Sequence, residues 1–141
     1  MYSIDFMTTA EQNQICQWHY DRPYDTYNMT PGDFSSDSLF YSVKDGTEII
    51  GMLKLYYNEG TCSLGLGMRP DLTGQGKGLE FVQSAIQFIE EQGSSLIQLA
   101  VATSNVRAIK VYTRCGFEET DYELMLAGDG LEEFVKMEYR L

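Results

Sequence analysis

Between Met68 and Gly78 the chain reads Met-Arg-Pro-Asp-Leu-Thr-Gly-Gln-Gly-Lys-Gly, where an apolar run gives way to a glycine-rich turn and then to an amphipathic segment. Glycines at 74, 76 and 78 strip that turn of side-chain bulk. A helix that opens after such a turn has its first N–H groups unpaired and its dipole positive at that end. An anion can approach those groups closely, so the turn reads as a phosphate cradle. The same segment constrains the fold. A helix of this length following a strand packs back onto the sheet, and the next strand then lies parallel to the first.

With 141 residues the chain is expected to form one domain over 1–141, long enough to bury about two thirds of its unfolded surface without disulfides. Cys16, Cys62 and Cys115 are widely spaced and lack the close pairs of zinc or redox motifs, so no metal is expected. No apolar run approaches the roughly 20 residues of a membrane span, and the N-terminal residues lack a secretion signal. The expectation is a cytoplasmic protein with no membrane partner.

A formal net charge of −11 disfavours nucleic acid. The charge is uneven: residues 69–114 carry five bases and four acids, whereas 1–68 and 115–141 each sum to −6. The middle can accept an anion, and the flanks either favour a cationic partner or keep the chain in solution.

Tyr2 to Phe6 reads as a strand, and Thr8 or Thr9 caps a helix running to about His19. Pro23, Pro31 and Gly32 make 21–37 a loop or short helical turns, packed through Tyr24, Tyr27 and Phe34, which could form one wall of a substrate cleft. Three antiparallel strands follow: Leu39 to Val43, Ile49 to Tyr57 after the Asp45-Gly46 turn, and Thr61 to Met68 after a turn at Asn58 to Gly60. Leu79, Phe81, Val82, Ala85, Ile86 and Ile89 have helical spacing within Gly76 to Gln92, and Gly93 stops that helix. Leu96 to Val101 is a buried strand, and a helix capped at Thr103, Ser104 or Asn105 ends at Gly116. Glu118 to Leu126 and Leu131 to Leu141 form a hairpin across Gly128-Asp129-Gly130. The fold class is therefore α/β, a mixed sheet of about seven strands with helices on both faces.

Two rival readings of the glycine turn fail, and a purely structural turn without a ligand stays open. A dinucleotide fingerprint needs a leading parallel unit, but the preceding strands are hairpins, and no Gly-Lys-Ser/Thr completes a Walker pattern. A second motif, Asn105-Val106-Arg107-Ala108-Ile109-Lys110-Val111-Tyr112 followed by Cys115-Gly116-Phe117, places Asn105, Ala108 and Tyr112 on one helix face. Together with Met68-Arg69-Pro70 and Thr73-Gly74-Gln75-Gly76-Lys77-Gly78, it resembles the GNAT acyltransferase superfamily over nearly the whole chain. In that family the turn begins with glutamine or arginine, where this chain has Thr73.

The resemblance implies acetyl transfer from acetyl-CoA to a primary amine by direct attack, within the GNAT fold, whose fourth and fifth strands part at their C-terminal ends. Met68, Arg69, Pro70, Thr73, Gly74, Gln75, Gly76, Lys77, Gly78, Asn105 and Ala108 would bind the cosubstrate. A backbone N–H near Met68 would stabilise the oxyanion, and Tyr112 would protonate the leaving thiolate. Gly65 and Gly67 either admit the pantetheine arm or mark a bulge. The strand glutamate of some family members has no counterpart among Thr61, Cys62 and Ser63, which leaves Glu48, Asp33 and His19 as base candidates through water. Cys115 lacks an evident base for a nucleophilic role. The acidic 21–37 segment and terminal hairpin are expected to form the acceptor pocket, favouring a cationic small molecule or a peptide amine. A CoA-binding regulatory or interaction module without turnover is the alternative, and a homodimer is the default assembly.

Overall fold

Gly46 and Gly60 adopt φ of +64° and +81°, the left-handed turn geometry that glycine takes without steric cost. These turns join β2 (Leu39–Asp45), β3 (Glu48–Asn58) and β4 (Thr61–Met68) as antiparallel neighbours. The computed structural model describes residues 2–22, 24, 27–35, 37–127 and 130–141. β1 (Ser3–Phe6) pairs antiparallel with β2 on the outer side.

α1 (Thr9–Ile15) begins at a capping box in which the Thr8 hydroxyl accepts the Glu11 N–H and Glu11 accepts the Thr8 N–H. It ends before the expected His19. The Gln17 and Trp18 N–H groups bond the carbonyls of Gln14 and Ile15, a tighter turn that stops the helix. Within the loop that follows, Pro31–Phe34 forms a short 3₁₀ turn.

α2 (Gly78–Glu91) buries Phe81, Val82, Ala85, Ile86 and Ile89, the stripe its spacing requires. β5 (Leu96–Ala102) then pairs parallel with β4, as the crossover demands. α3 (Val106–Cys115) is capped by Asn105 and ends at Gly116, where φ is +109°. β6 (Glu118–Ala127) and β7 (Gly130–Arg140) close the chain as a hairpin, and Gly128 and Asp129 of its expected turn lie outside the described residues.

The strands form one seven-stranded sheet in the order β1-β2-β3-β4-β5-β7-β6. β7 lies between β5 and β6, antiparallel to both. One face carries the main core, where Leu53, Leu55, Ile97, Val135 and Met137 meet α2 and α3. A second cluster of Ile15, Phe40, Ile49 and Met52 is joined by Trp18, Met29 and Phe34 from α1 and its loop. Among the described residues no helix is long and apolar enough to cross a membrane.

Candidate active site

β4 and β5 pair only at Thr61 with Leu96, Cys62 with Ile97 and Ser63 with Gln98. Beyond those pairs β4 continues to Met68 against β3, and β5 continues to Ala102 against β7. The two strands therefore part at their C-terminal ends in the middle of the sheet. Ala100 is exposed there although its strand has neighbours on both sides in the sheet order.

The parting frees one edge of β4. In an antiparallel ladder successive residues direct their N–H and C=O groups to opposite edges. The Arg69 N–H bonds Ile50 O toward β3 at 2.8 Å. The backbone groups of Met68, and of Leu66 two residues earlier, are consequently directed toward the gap.

A cleft of about 850 Å³ opens at this gap. Its lining includes Leu66 and Met68 from β4, Ala100 and Val101 from β5, and Asn105, Ala108 and Tyr112 from α3. Thr73, Gly74, Gly76 and Gly78 line it where α2 begins. These eleven residues come from four separate stretches of sequence, which only the parted strands bring to one cavity.

The turn before α2 has the shape the glycines anticipate. Gly74 and Gly76 have φ of +74° and +77°. Lys77 precedes the helix without a side-chain capping bond, so no side chain from the cap occupies the first-turn N–H groups. The Thr73 hydroxyl donates to Pro70 O at 2.7 Å, and Gln75 Nε2 donates to Asp71 O at 2.6 Å. Both polar side chains thus brace the turn from within.

Four of the expected ligand residues lie outside the lining: Arg69, Pro70, Gln75 and Lys77. Arg69 is held elsewhere, with Nε on Asp71 Oδ1 at 2.7 Å and Nη1 3.9 Å from Glu48 Oε2. Pro70 opens the short 3₁₀ turn Pro70–Leu72 that leads into the glycines.

On α3, Asn105 Oδ1 accepts the Ala108 N–H at 3.2 Å, while Nδ2 donates to the Tyr27 hydroxyl at 3.0 Å. The amide expected to serve a ligand therefore already serves both the helix and the 21–37 loop. Arg107, Lys110 and Arg114 recur at helical spacing and line the cleft. Arg107 Nη1 is 3.4 Å from the position a Cβ on Gly74 would take, so a guanidinium stands beside the glycine turn.

Tyr112 is partly buried against Phe117, with ring centroids 5.7 Å apart. Burial raises its pKa above the ordinary tyrosine value, with smaller contributions from Tyr27 and Cys115, so the hydroxyl stays protonated at neutral pH. Among the base candidates, Asp33 lines the cleft and its Oδ2 accepts the Thr30 N–H at 2.7 Å. His19 and Glu48 do not line it, and His19 lies exposed 3.3 Å from Asp21. Cys115 is also outside, and burial pushes its thiol up, away from the reactive thiolate. The expected contribution of the terminal hairpin is corrected as well. None of its described residues lines the cleft, because β5 and β7 stay paired to Ala102 and Phe134. Among the described residues no group of three or more metal-ligating side chains assembles.

Tyr20 was not anticipated. Its hydroxyl donates to Met68 O, and burial raises its pKa to about 12. No local pattern around residue 20 signals a partner so distant in sequence.

The acetyltransferase (GNAT) family profile matches residues 5–117. The chain belongs to that family. In sequence this GNAT chain is similar to a mycothiol acetyltransferase of Streptomyces avermitilis, 33% identical over 95 residues covering 65% of this chain and 30% of that protein. An uncharacterized N-acetyltransferase of Methanocaldococcus jannaschii is 36% identical over 52 residues, covering 37% of this chain and 23% of its own. The chain thus aligns with less than a third of the length of these curated relatives. Its fold is similar to that of the ribosomal-protein-S18-alanine N-acetyltransferase from Escherichia coli, with TM-score 0.77 and 20% identity over 99% of this chain and 94% of that one. It is similar also to the spermidine N-acetyltransferase from Vibrio cholerae in complex with CoA and spermine, with TM-score 0.81 and 16% identity over 99% and 95%.

Proposed function

We propose that this GNAT chain is an acetyl-CoA-dependent N-acetyltransferase acting on a primary amine by direct attack within a ternary complex. The observation that carries the reading is the early parting of β4 and β5 into a cleft that ends on an uncapped, glycine-rich helix start. CoA is present in the structure of the Vibrio cholerae fold neighbour, and both fold neighbours are named N-acetyltransferases, which supports both halves of the reaction.

The chain's residues suit such a ligand. The N–H groups from Gly74 to Gly78, with Arg107 beside them, would hold the diphosphate, while the Thr73 N–H bonds Pro70 O. The free edge of β4 at Leu66 and Met68 would take the pantetheine amides as a further strand would, and Ala108 keeps the opposite wall thin. Acetyl-CoA supplies an activated acyl group as its thioester.

The Met68 N–H lies on the freed edge, where it would stabilise the negative charge that develops on the acyl oxygen. As the amine nitrogen bonds the acyl carbon and the carbon–sulfur bond breaks, Tyr112 would give its proton to the departing sulfur. The proton lost by the amine would leave through water, with Asp33 as the carboxylate on the cleft wall. Free thiols at Cys16, Cys62 and Cys115 accord with a reducing cytoplasmic setting.

Calorimetry with acetyl-CoA, combined with thiol release across a panel of amines, tests the reading. Binding with amine-dependent thiol release supports it. Binding with no release from any amine would make the chain a CoA-binding module instead, and absence of binding would remove both.

A further inference from the structure

The cleft reaches both faces of the sheet, and its two sides differ in chemistry. Arg107, Lys110 and Arg114 stand on the α3 side with the glycine turn. On the opposite face, register places Lys54 between Phe40 of β2 and Gly65 of β4, and Met52 between Ser42 and Gly67. Gly65 and Gly67 carry no side chains, and Lys54 and Met52 lean over the room this leaves, all four lining the cleft. A Cβ on Gly65 would lie 3.3 Å from Lys54 Cβ, and one on Gly67 would lie 3.1 Å from Met52 Cγ. Ile15, Trp18 and Met29 also line the cleft here and belong to the second apolar cluster.

Lys54 is the cation of this side. It is exposed and lines the cleft, and its Nζ lies 5.8 Å from the Phe40 ring centroid. Among the described residues it has no carboxylate partner. Asp33, the acid lining the cleft, has Oδ2 engaged by the Thr30 N–H and hydroxyl.

Building on the acetyltransferase reading, we propose that the cleft wall formed by Gly65, Gly67, Lys54 and Met52 is the acceptor site, and that it selects an amine whose apolar body ends in a carboxylate or similar anion paired with Lys54. Gly65, opposite Lys54, and Met68, at the proposed reacting end, are three residues apart on β4, which is about 10 Å on an extended strand. The amine and the anion therefore sit at opposite ends of the acceptor, and the apolar floor contacts what lies between. The chain's charge of −11 repels free anions, but a zwitterion carries no net charge and escapes that repulsion.

Three acceptors of matched length test this: ε-aminocaproate, n-hexylamine and hexamethylenediamine, which present the same primary amine with an anionic, neutral or cationic far end. Thiol release with acetyl-CoA should give kcat/KM highest for ε-aminocaproate, by about tenfold over n-hexylamine, the scale of one charge-assisted contact, with the difference mainly in KM. Lys54→Met should bring those two acceptors level, and Lys54→Glu should put hexamethylenediamine first. Acetyl-CoA calorimetry on each variant reports that it is folded. The proposal is overturned if the wild-type chain favours hexamethylenediamine, if Lys54→Glu leaves the ranking unchanged, or if acetyl-CoA binds while none of the three acceptors is acetylated. Transfer with the wrong ranking leaves the acetyltransferase reading standing, whereas no heat with acetyl-CoA removes that reading itself.

Discussion

The Tyr20 hydroxyl donates to the carbonyl oxygen of Met68, 48 residues further along the chain, and so holds the last residue of β4 from the loop side. Tyr27, in ring contact with Tyr20 at 6.2 Å, accepts from Asn105 just past the end of β5. The two tyrosines bridge the ends of strands that no longer bond one another. They do so at the residue whose N–H is proposed to face the developing oxyanion.

Removing that hydroxyl while keeping the ring isolates the bridge. Tyr20→Phe should lower stability by about 1 kcal/mol, the usual net worth of a hydrogen bond. It should also lower kcat for acetyl transfer more than it changes acetyl-CoA affinity, because the diphosphate is held at the other end of the cleft. Thermal denaturation and steady-state kinetics measure the two effects.

Tyr112→Phe should retain acetyl-CoA binding and reduce kcat by about a hundredfold, the lower range for a positioned proton donor. Burial holds the Tyr112 proton beyond the ordinary tyrosine range, so its loss should not limit the wild-type rate up to the ordinary tyrosine pKa. A variant as fast as the wild-type chain would exclude Tyr112 as the acid.

Gly76→Ala separates backbone shape from contact. Nothing lies within 4 Å of a Cβ placed there, yet φ is +77°. Alanine must then either strain or reshape the turn, at a cost of about 1 kcal/mol. Acetyl-CoA affinity should fall about fivefold by calorimetry.

Glu11 ties α1 to β2. Burial pushes its carboxyl up, but hydrogen bonds from Lys44, the Thr8 N–H and Ser42, together with the Lys44 charge, hold it at about 2. The Lys44 contact is 2.6 Å long. A carboxyl whose pKa is depressed on folding contributes stability that is present above its unfolded value and lost as pH falls through the folded one. Glu11→Gln should therefore cost about 1–3 kcal/mol at pH 7. The gap should close between the unfolded carboxylate range and pH about 2, as read from denaturant titrations at several pH values.

Much of this architecture is legible in the sequence because its signals are local. Asp45-Gly46, Gly93 and Gly116 each mark a chain reversal with positive φ. The stripe from Phe81 to Ile89 specifies α2, and the paired motifs at 68–78 and 105–112 locate both walls of the cleft. What escapes a sequence reading depends on distant partners. β7 enters between β5 and β6 through a register that neither strand spells out. That placement leaves the described hairpin residues out of the cleft lining, with Glu132 reaching Ser104 at its margin. The Tyr20 to Met68 and Tyr27 to Asn105 bonds span 48 and 78 residues, distances over which no periodicity carries information. Lys54 looks like an ordinary exposed strand lysine until Gly65 is set opposite it.

Acetyl-CoA is proposed to occupy the gap between β4 and β5 with its diphosphate on the turn before α2. Backbone amide NMR on the 16.0 kDa chain during titration with CoA tests it directly. Saturable shifts should appear, concentrated at Gly74 to Leu79 and at Leu66 and Met68. Binding that moves a different set of amides, or titration to millimolar CoA with no shift at these positions, would contradict it.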